Sequence, residues 1–426
     1  MDILLSICIP TYNRRDFLEL CLDRVLSQLN DRRDIEILVV NNGSEDGTSA
    51  LLAEQSAHYP QLRHIDRPNT VDISKQFFST LFLGKGRWRV YLADDDKLDL
   101  DTILAHIEAM RDRDGVAAIY TDWIAWDDQR EAELHRYFKI GAEKNFSLNQ
   151  APALLQYVLS ESVLPEIAIY RGQCLNEALV ATSGKTGNFY QLLLGLLKRG
   201  EIVFRDPAFY YECRVVKPHL KRSHWGNMDL QDNHFDSMRA ALENFALGAL
   251  RGISLTAQQR LTLYDGIQGF ISGRMGLYRQ RALGARKWRE ALRLDERIRL
   301  WFPQAALPIQ SSGGNLGYVD LVLRAVVEAI ADWADALPGY NKIHLVSSHL
   351  AMFENPIQQS LLEGPSVTLI VDLTASPIDS HALYVLHSEE DLQQFEAMGG
   401  ARNSALVMTS LVDGLGNAVR VAIGDA

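Results

Sequence analysis

Three consecutive carboxylates, Asp94-Asp95-Asp96, follow the apolar run Val90-Tyr91-Leu92-Ala93, an order that puts acids where a strand opens into a cleft. Hard divalent cations take oxygen ligands, and Mg²⁺ in particular is held by one or two carboxylates together with substrate phosphates. The same acids also suit a solvated turn capping a helix that begins near Asp99, and spacing alone leaves both readings open. Polar groups follow three other apolar runs: Pro10-Thr11-Tyr12-Asn13-Arg14, the loop from Asn41 to Thr48, and Arg67-Pro68-Asn69. The loop offers amides and carboxylates to a base or ribose, and equally a turn in which Asp46 or Thr48 caps a helix. The first of these turns has no glycine, and neither G-x-G-x-x-G nor the full G-x-x-x-x-G-K-[ST] phosphate loop occurs in the chain. A backbone cradle for pyrophosphate is therefore not expected there, and a metal on the Asp cluster would neutralise phosphate instead.

The elements that must position these residues alternate. Over the first 122 residues, short β-rich runs (Ile3–Ile9, Ile35–Val40, Leu62–Ile65, Trp88–Leu92, Val116–Tyr120) are separated by helical periods from Arg14, Thr48, Ile73 and Asp99. This is the pattern of a mostly parallel sheet with helices on both faces, whose ligands bind at the carboxyl ends of the strands. Asn13 is the expected cap of the first helix, with Asp16 suiting its dipole. Residues 123–225 are less regular, with a helix near Ala151–Ser160, a strand near Ile167–Tyr170 and a helix from Phe189 to Lys198. Helical periodicity then runs from about Asp229 to Phe302. Four strand-like runs follow, Ile343–Val346, Val367–Val371, Ala382–Leu386 and Ala405–Met408.

The 426 residues are 47% hydrophobic and 23% charged, which excludes a disordered or fibrous chain. Forty-three basic against 54 acidic side chains leave a formal charge of −11, which argues against nucleic acid as a partner. Cys8, Cys21, Cys174 and Cys213 show no metal-type spacing and read as reduced thiols of a cytoplasmic protein. The N-terminus reads as a first strand rather than a leader, and no 18-residue apolar run is present to span a membrane.

Taken in order, Ser6-Ile-Cys-Ile-Pro-Thr-Tyr-Asn-Arg14, Ile37-Leu-Val-Val-Asn-Asn-Gly-Ser-Glu-Asp-Gly-Thr48 and Gly86-Arg-Trp-Arg-Val-Tyr-Leu-Ala-Asp-Asp-Asp-Lys-Leu-Asp-Leu-Asp101 resemble the inverting nucleotide-sugar glycosyltransferases of family 2. The resemblance is firm over residues 3–122 and looser to about 225. It implies an α/β chain of GT-A fold, a Rossmann-like mostly parallel sheet. Residues 1–225 would form that domain, 226–302 a helical connector and 303–426 a smaller α/β accessory domain. It further implies that Pro10, Thr11, Tyr12, Arg14, Asn42, Arg67 and Asp94 line the nucleotide pocket, with Asn42 contacting the base and Asp94 near the ribose. Asp95, with Asp96, would hold Mn²⁺ or Mg²⁺ against the diphosphate. A metal there would act as a Lewis acid on the departing nucleoside diphosphate. The basic segment Lys217–Trp225 would close over the same charge.

Inverting transfer also needs a base for the acceptor hydroxyl. The family supplies an Asp opening the helix that here starts at Phe189, but this chain has Asn188, which is no base. Glu166, His219 and His224 are the other candidates. Two rival readings therefore stand beside the transferase, a non-catalytic donor-binding scaffold and a nucleotidyltransferase. Nine Lys/Arg against three acids between Arg274 and Arg299 suggest a helix lying on an anionic membrane surface, its apolar side formed by Leu294, Ile298 and Trp301. The expected partners are a nucleotide-sugar donor and a glycan, lipid-linked or protein acceptor, met in the cytoplasm or at the inner face of the membrane. His344, His349, His381 and His387 of the C-terminal segment are expected to be structural.

Overall fold

The computed structural model describes residues 2–180, 189–217, 220 and 234–308, with further segments between 316 and 407. The chain divides into two compact units, Met1–Ile271 and Ser272–Ala426.

In the first unit, β1 (Leu5–Thr11) pairs in parallel with β2 (Ile35–Asn41) on one side and β4 (Trp88–Tyr91) on the other, and β2 pairs with β3 (Leu62–Asp66). Every residue of β2 is buried, as expected for a central parallel strand covered on both faces. The covering helices are α1 (Arg15–Leu26), α2 (Thr48–His58), α3 (Ile73–Leu83) and α4 (Leu100–Ala109). One stripe of α1 is buried, Phe17, Leu18, Cys21, Leu22, Val25 and Leu26, the spacing of a helix with one face on a core. Asp72 and Asp99 accept from Ser74 and Thr102 N–H and so cap α3 and α4.

The sheet is mixed beyond β4. Between β4 and β6 (Val116–Tyr120) lies β10 (Ile169–Arg171), antiparallel to both, followed outward by β11 (Glu201–Phe204) and β9 (Lys144–Phe146). A second, four-stranded sheet, in the order β5 (Lys97–Leu98), β12 (Tyr210–Val215), β7 (Trp123–Asp127), β8 (Ala132–Arg136), holds much of the irregular stretch after residue 122. Its strands are short, and β12 pairs with residues 87 to 114 positions earlier, so periodicity does not announce it. Helices α5 (Ala151–Ser160), α6 (Gly172–Val180), α7 (Phe189–Leu197) and α8 (His234–Ala249) pack together beside the main sheet.

A polar knot ties β1, β2 and β4 together. Glu36, in β2, accepts from the Ser6 hydroxyl, from Arg63 Nε and from the Lys85 N–H. Burial pushes the Glu36 carboxyl up, but these three donors outweigh it and hold it below the usual glutamate range. The Gly86 N–H donates to Ser6 Oγ at 2.7 Å. A Cβ on Gly86 would lie 2.4 Å from the Ser6 nitrogen, so only glycine permits this approach.

In the second unit, β13 (Lys342–Val346), β14 (Val367–Ile370), β15 (Ala382–Leu386) and β16 (Ala405–Val407) form a parallel sheet in the order β14-β13-β15-β16. The His344 and Tyr384 rings stack at 5.0 Å across it, while His349 and His387 lie outside the described residues. Helix α9 (Ala257–Gly284) runs across the boundary between the units, and α10 (Trp288–Trp301) follows. Leu294 and Ile298, expected to face a membrane, are buried instead, together with Ala291 and Asp295. Asp295 is fully buried, with its carboxylate accepting from Arg279, from Arg299 Nη2 at 2.9 Å and from Leu307 N–H at 2.8 Å. Two of the nine basic residues thus neutralise a buried acid of their own unit, and Leu294 and Ile298 are taken up by its core while Trp301 stays exposed.

Candidate active site

The parallel strands β1, β2 and β4 end together, and the polar groups that follow them meet at that edge. Thr11, the last residue of β1, donates its hydroxyl to Asp94 Oδ2 at 2.7 Å. Arg14 reaches across from the start of α1, with Nη1 3.2 Å from Asp94 Oδ1 and Nη2 2.6 Å from Asp95 Oδ2. Its guanidinium lies 4.6 Å over the Phe17 ring, which fixes its direction. Burial raises the Asp94 carboxyl in spite of Arg14, and Asp95 adds to the rise. The site is therefore a pair of carboxylates spanned by one cation, with Asp94 buried and Asp95 partly open.

Asp96 faces the other way. Its Oδ1 accepts from the Cys213 N–H at 2.9 Å and its Oδ2 from the Tyr210 hydroxyl at 2.7 Å, both on β12. Tyr210 Oη in turn accepts from the Ala93 N–H. Asp96, expected beside Asp95 at a metal, is instead drawn to β12: its N–H closes the turn on the Ala93 carbonyl at 3.1 Å, and its carboxylate anchors that turn to the second sheet.

The first two turns lock onto each other. Asn13 does not cap α1; with φ of 50°, its carboxamide oxygen accepts from the Glu45 N–H, and its own N–H donates to Ser44 Oγ. The α1 terminus is met by Asp46, which accepts from the Arg15 N–H at 2.9 Å and also from the Thr48 N–H and hydroxyl at the start of α2. One carboxylate thereby serves two helix N-termini, where negative charge is stabilised. Gly47, at φ of 87°, makes the turn that brings Asp46 there.

Asn42 is buried, donating to the Val71 carbonyl and accepting from the Val71 N–H. Instead of presenting its amide to a base, it holds the segment that leads into α3. Arg67 is likewise turned onto α3, donating to Gln76 Oε1 and Ser79 Oγ. Pro10 and Tyr12 are half-buried on either side of Thr11. Of the base candidates, Asn188, His219 and His224 lie outside the described residues. Glu166 precedes β10, whose first paired residue, Ile169, faces Val90 near the end of β4, so Glu166 belongs to the same edge.

Sequence reasoning missed Asp122, which follows β6 at this edge. It is 1% exposed, with Oδ2 on Arg136 Nη1 at 3.0 Å and with Oδ1 buried and lacking a hydrogen-bond partner among the described residues. Burial raises its carboxyl against the pull of Arg136. Nothing in its local sequence marks it, since its setting is made by β6 and β8. Tyr210 was missed for the same reason. The four cysteines are free, and burial pushes Cys8 and Cys213 up to about 12, so those two are inert at neutral pH.

Among the described residues, no three His, Cys, Asp or Glu side chains are arranged to hold a metal ion. The partly exposed Asp95 carboxylate beside Asp94 has the oxygen chemistry of a ligand for a hard divalent cation that takes its remaining oxygens from a ligand's phosphates.

Residues 6–162, which contain Thr11, Arg14, the three aspartates and Asp122 but not Glu166, Tyr210 or Cys213, match the family model described as glycosyl transferase family 2. The matched segment is the part of the chain that carries Thr11, Arg14, Asp94 and Asp95. Within it, abequosyltransferase RfbV of Salmonella typhimurium is 33% identical over 102 residues, 24% of this chain and 30% of that protein. Chondroitin synthase of Escherichia coli is 30% identical over 118 residues, 28% of this chain and 17% of that protein. The chain thus spans less than a third of either relative. The solved structure of S. aureus TarS residues 1–349 with UDP-GlcNAc is similar at 14% identity and a TM-score of 0.49, over 71% of this chain and 83% of that one. No helix among the described residues is long and apolar enough to cross a membrane.

Proposed function

We propose that this chain transfers a sugar from a nucleoside diphosphate donor to a hydroxyl of a glycan-type acceptor, in building a bacterial surface polysaccharide or glycoconjugate. The observation that carries the reading is the Thr11–Asp94–Arg14–Asp95 constellation at the carboxyl edge of β1 and β4, inside the family 2 segment. The printed names of the relatives, an abequosyltransferase and a chondroitin synthase, agree with sugar transfer to a polysaccharide.

In this reading Asp94, buried and held by Thr11, turns toward the ribose, and Arg14 meets the diphosphate when it swings from the two carboxylates. Asp95, with Asp94, would hold Mn²⁺ or Mg²⁺, which supplies charge stabilisation to the departing diphosphate. Asp46 and Asn42 keep the two flanking turns rigid, so that the donor meets a preorganised edge. Glu166 and Asp122 are the two described carboxylates to compare as acceptor base, because both belong to the edge where the sugar would sit. Inversion at the anomeric carbon follows if one carboxylate deprotonates the acceptor hydroxyl for direct attack.

Calorimetric titration with UDP, GDP, CDP and dTDP, with and without Mn²⁺, tests the donor half. One nucleotide is expected to bind, more tightly with metal, and Asp95→Ala is expected to remove the metal's contribution. Absence of binding by all four, in both conditions, would rule the reading out. Sugar transfer to an acceptor extract then separates the bases: the true base loses turnover as Asp122→Asn or Glu166→Gln while nucleotide binding persists.

A further inference from the structure

A groove of about 860 Å³ lies between α7, α8 and α9 in the first unit and shares no residue with the carboxylate edge. Its walls are apolar, with Leu194 from α7, Leu247 from α8, Leu250 and Ile253 from the connection, and Tyr264 and Ile267 from α9. Several of these are open to solvent: Leu247 is 73% exposed, Ile253 49% and Tyr264 46%. Large apolar side chains gathered on one exposed surface mark a binding site more often than a bare surface. The volume lies within the usual range for a single small ligand.

Charge narrows the ligand. Lys198, Arg251 and Arg260 line the same groove and are exposed, and none has an ion-pair partner among the described residues. Glu243, the one acid in the lining, faces Arg239 at 3.7 Å. Three cations without an ion-pair partner among the described residues therefore line an apolar trough in a chain of net charge −11. An apolar helix of a partner protein would fill the trough but leave the cations unmet, and free phosphate would leave the leucines in water.

We propose that this groove binds an anionic membrane lipid, with its hydrocarbon chain along Leu194, Leu247, Ile253 and Tyr264 and its phosphate on Lys198, Arg251 and Arg260. The site goes beyond the sugar-transfer reading and stands without it. It also moves lipid contact away from α10, whose Leu294 and Ile298 are buried.

The test is calorimetric titration of the full chain with dodecyl phosphate below its micelle-forming concentration, with inorganic phosphate and the uncharged dodecyl maltoside as controls. Flotation with vesicles of phosphatidylglycerol and of phosphatidylcholine forms a second arm. Dodecyl phosphate is expected to saturate one site, inorganic phosphate to show no heat, and the chain to float with phosphatidylglycerol alone. Arg251→Glu with Arg260→Glu should weaken both by roughly tenfold or more, and Leu247→Glu should do the same through the trough. These three positions are exposed, so the variants keep the parent thermal transition and nucleoside diphosphate binding. The proposal falls if inorganic phosphate binds as well as dodecyl phosphate, if dodecyl maltoside matches it, or if the variants bind unchanged. It falls equally if Leu247→Glu dissolves a dimer of the chain, which would make the groove a self-interface, or if the exposed variants fail to fold, which would make these side chains structural.

Discussion

Arg14 lies between two carboxylates at the carboxyl edge, and its guanidinium fork contacts both. Replacing it with alanine leaves Asp94 buried beside Asp95 with no positive partner, a loss of about 1–3 kcal/mol readable as a lower urea midpoint. Nucleoside diphosphate affinity should fall roughly tenfold or more, because a charge-assisted contact to phosphate goes with it. Arg14→Lys restores charge without the fork, so it should recover stability better than binding. Glu36 makes a pH prediction with a definite sign. Its native carboxyl is held below the unfolded value, so its contribution is complete above the unfolded glutamate range of about 4.3 and is lost as pH falls through the lowered native value. Denaturant titrations between neutral and acid pH should show this limb, and Glu36→Gln should flatten it while lowering stability at neutral pH.

Among the elements, β12 is the one that joins the second sheet to the carboxylate turn, through Tyr210 and the Cys213 N–H on Asp96. Tyr210→Phe keeps the ring and removes the hydroxyl, leaving Asp96 Oδ2 and the Ala93 N–H short of a partner. A destabilisation of about 1–3 kcal/mol follows, and calorimetry should show weaker nucleotide binding because the turn carrying Asp94 and Asp95 loses its tether. If binding is unchanged at full strength, Asp96 has no positioning role. The approach of β4 to β1 sets another limit. Gly86→Ala places a methyl group against the Ser6 backbone, 2.4 Å away, and overpacking of that kind costs about 1–3 kcal/mol. Thermal unfolding should report it.

At the scale of the molecule, the two compact units carry different chemistry: the carboxylate edge and the lipid groove are in the first, and a buried ion cluster on Asp295 is in the second. Asp295→Ala strands the buried Arg279 without its carboxylate, and loss of one partner from a buried pair is worth roughly 3–5 kcal/mol. The second unit should melt earlier in calorimetry. Nucleotide titration should be unaltered, since the residues that would bind the donor are all in the first unit.

The sequence by itself determined the alternation of strands and helices to residue 122 and placed Asp94, Asp95 and Arg14 at strand ends, because a parallel strand and an amphipathic helix each leave a local periodic trace. It also located the four strands of the second unit. Long-range partners leave no such trace. That Asp96 turns to Tyr210, that Asn42 closes on Val71, that Asp46 rather than Asn13 meets α1, and that Asp122 lies buried beside Arg136 are facts of three-dimensional contact between segments 14 to 117 residues apart. The same holds for α10, where the local pattern reads as a surface-seeking helix and the tertiary structure buries Leu294 and Ile298 while leaving Trp301 exposed. Side-chain direction at a strand end or on a helix is settled by what packs against it, and only the folded chain supplies that neighbour.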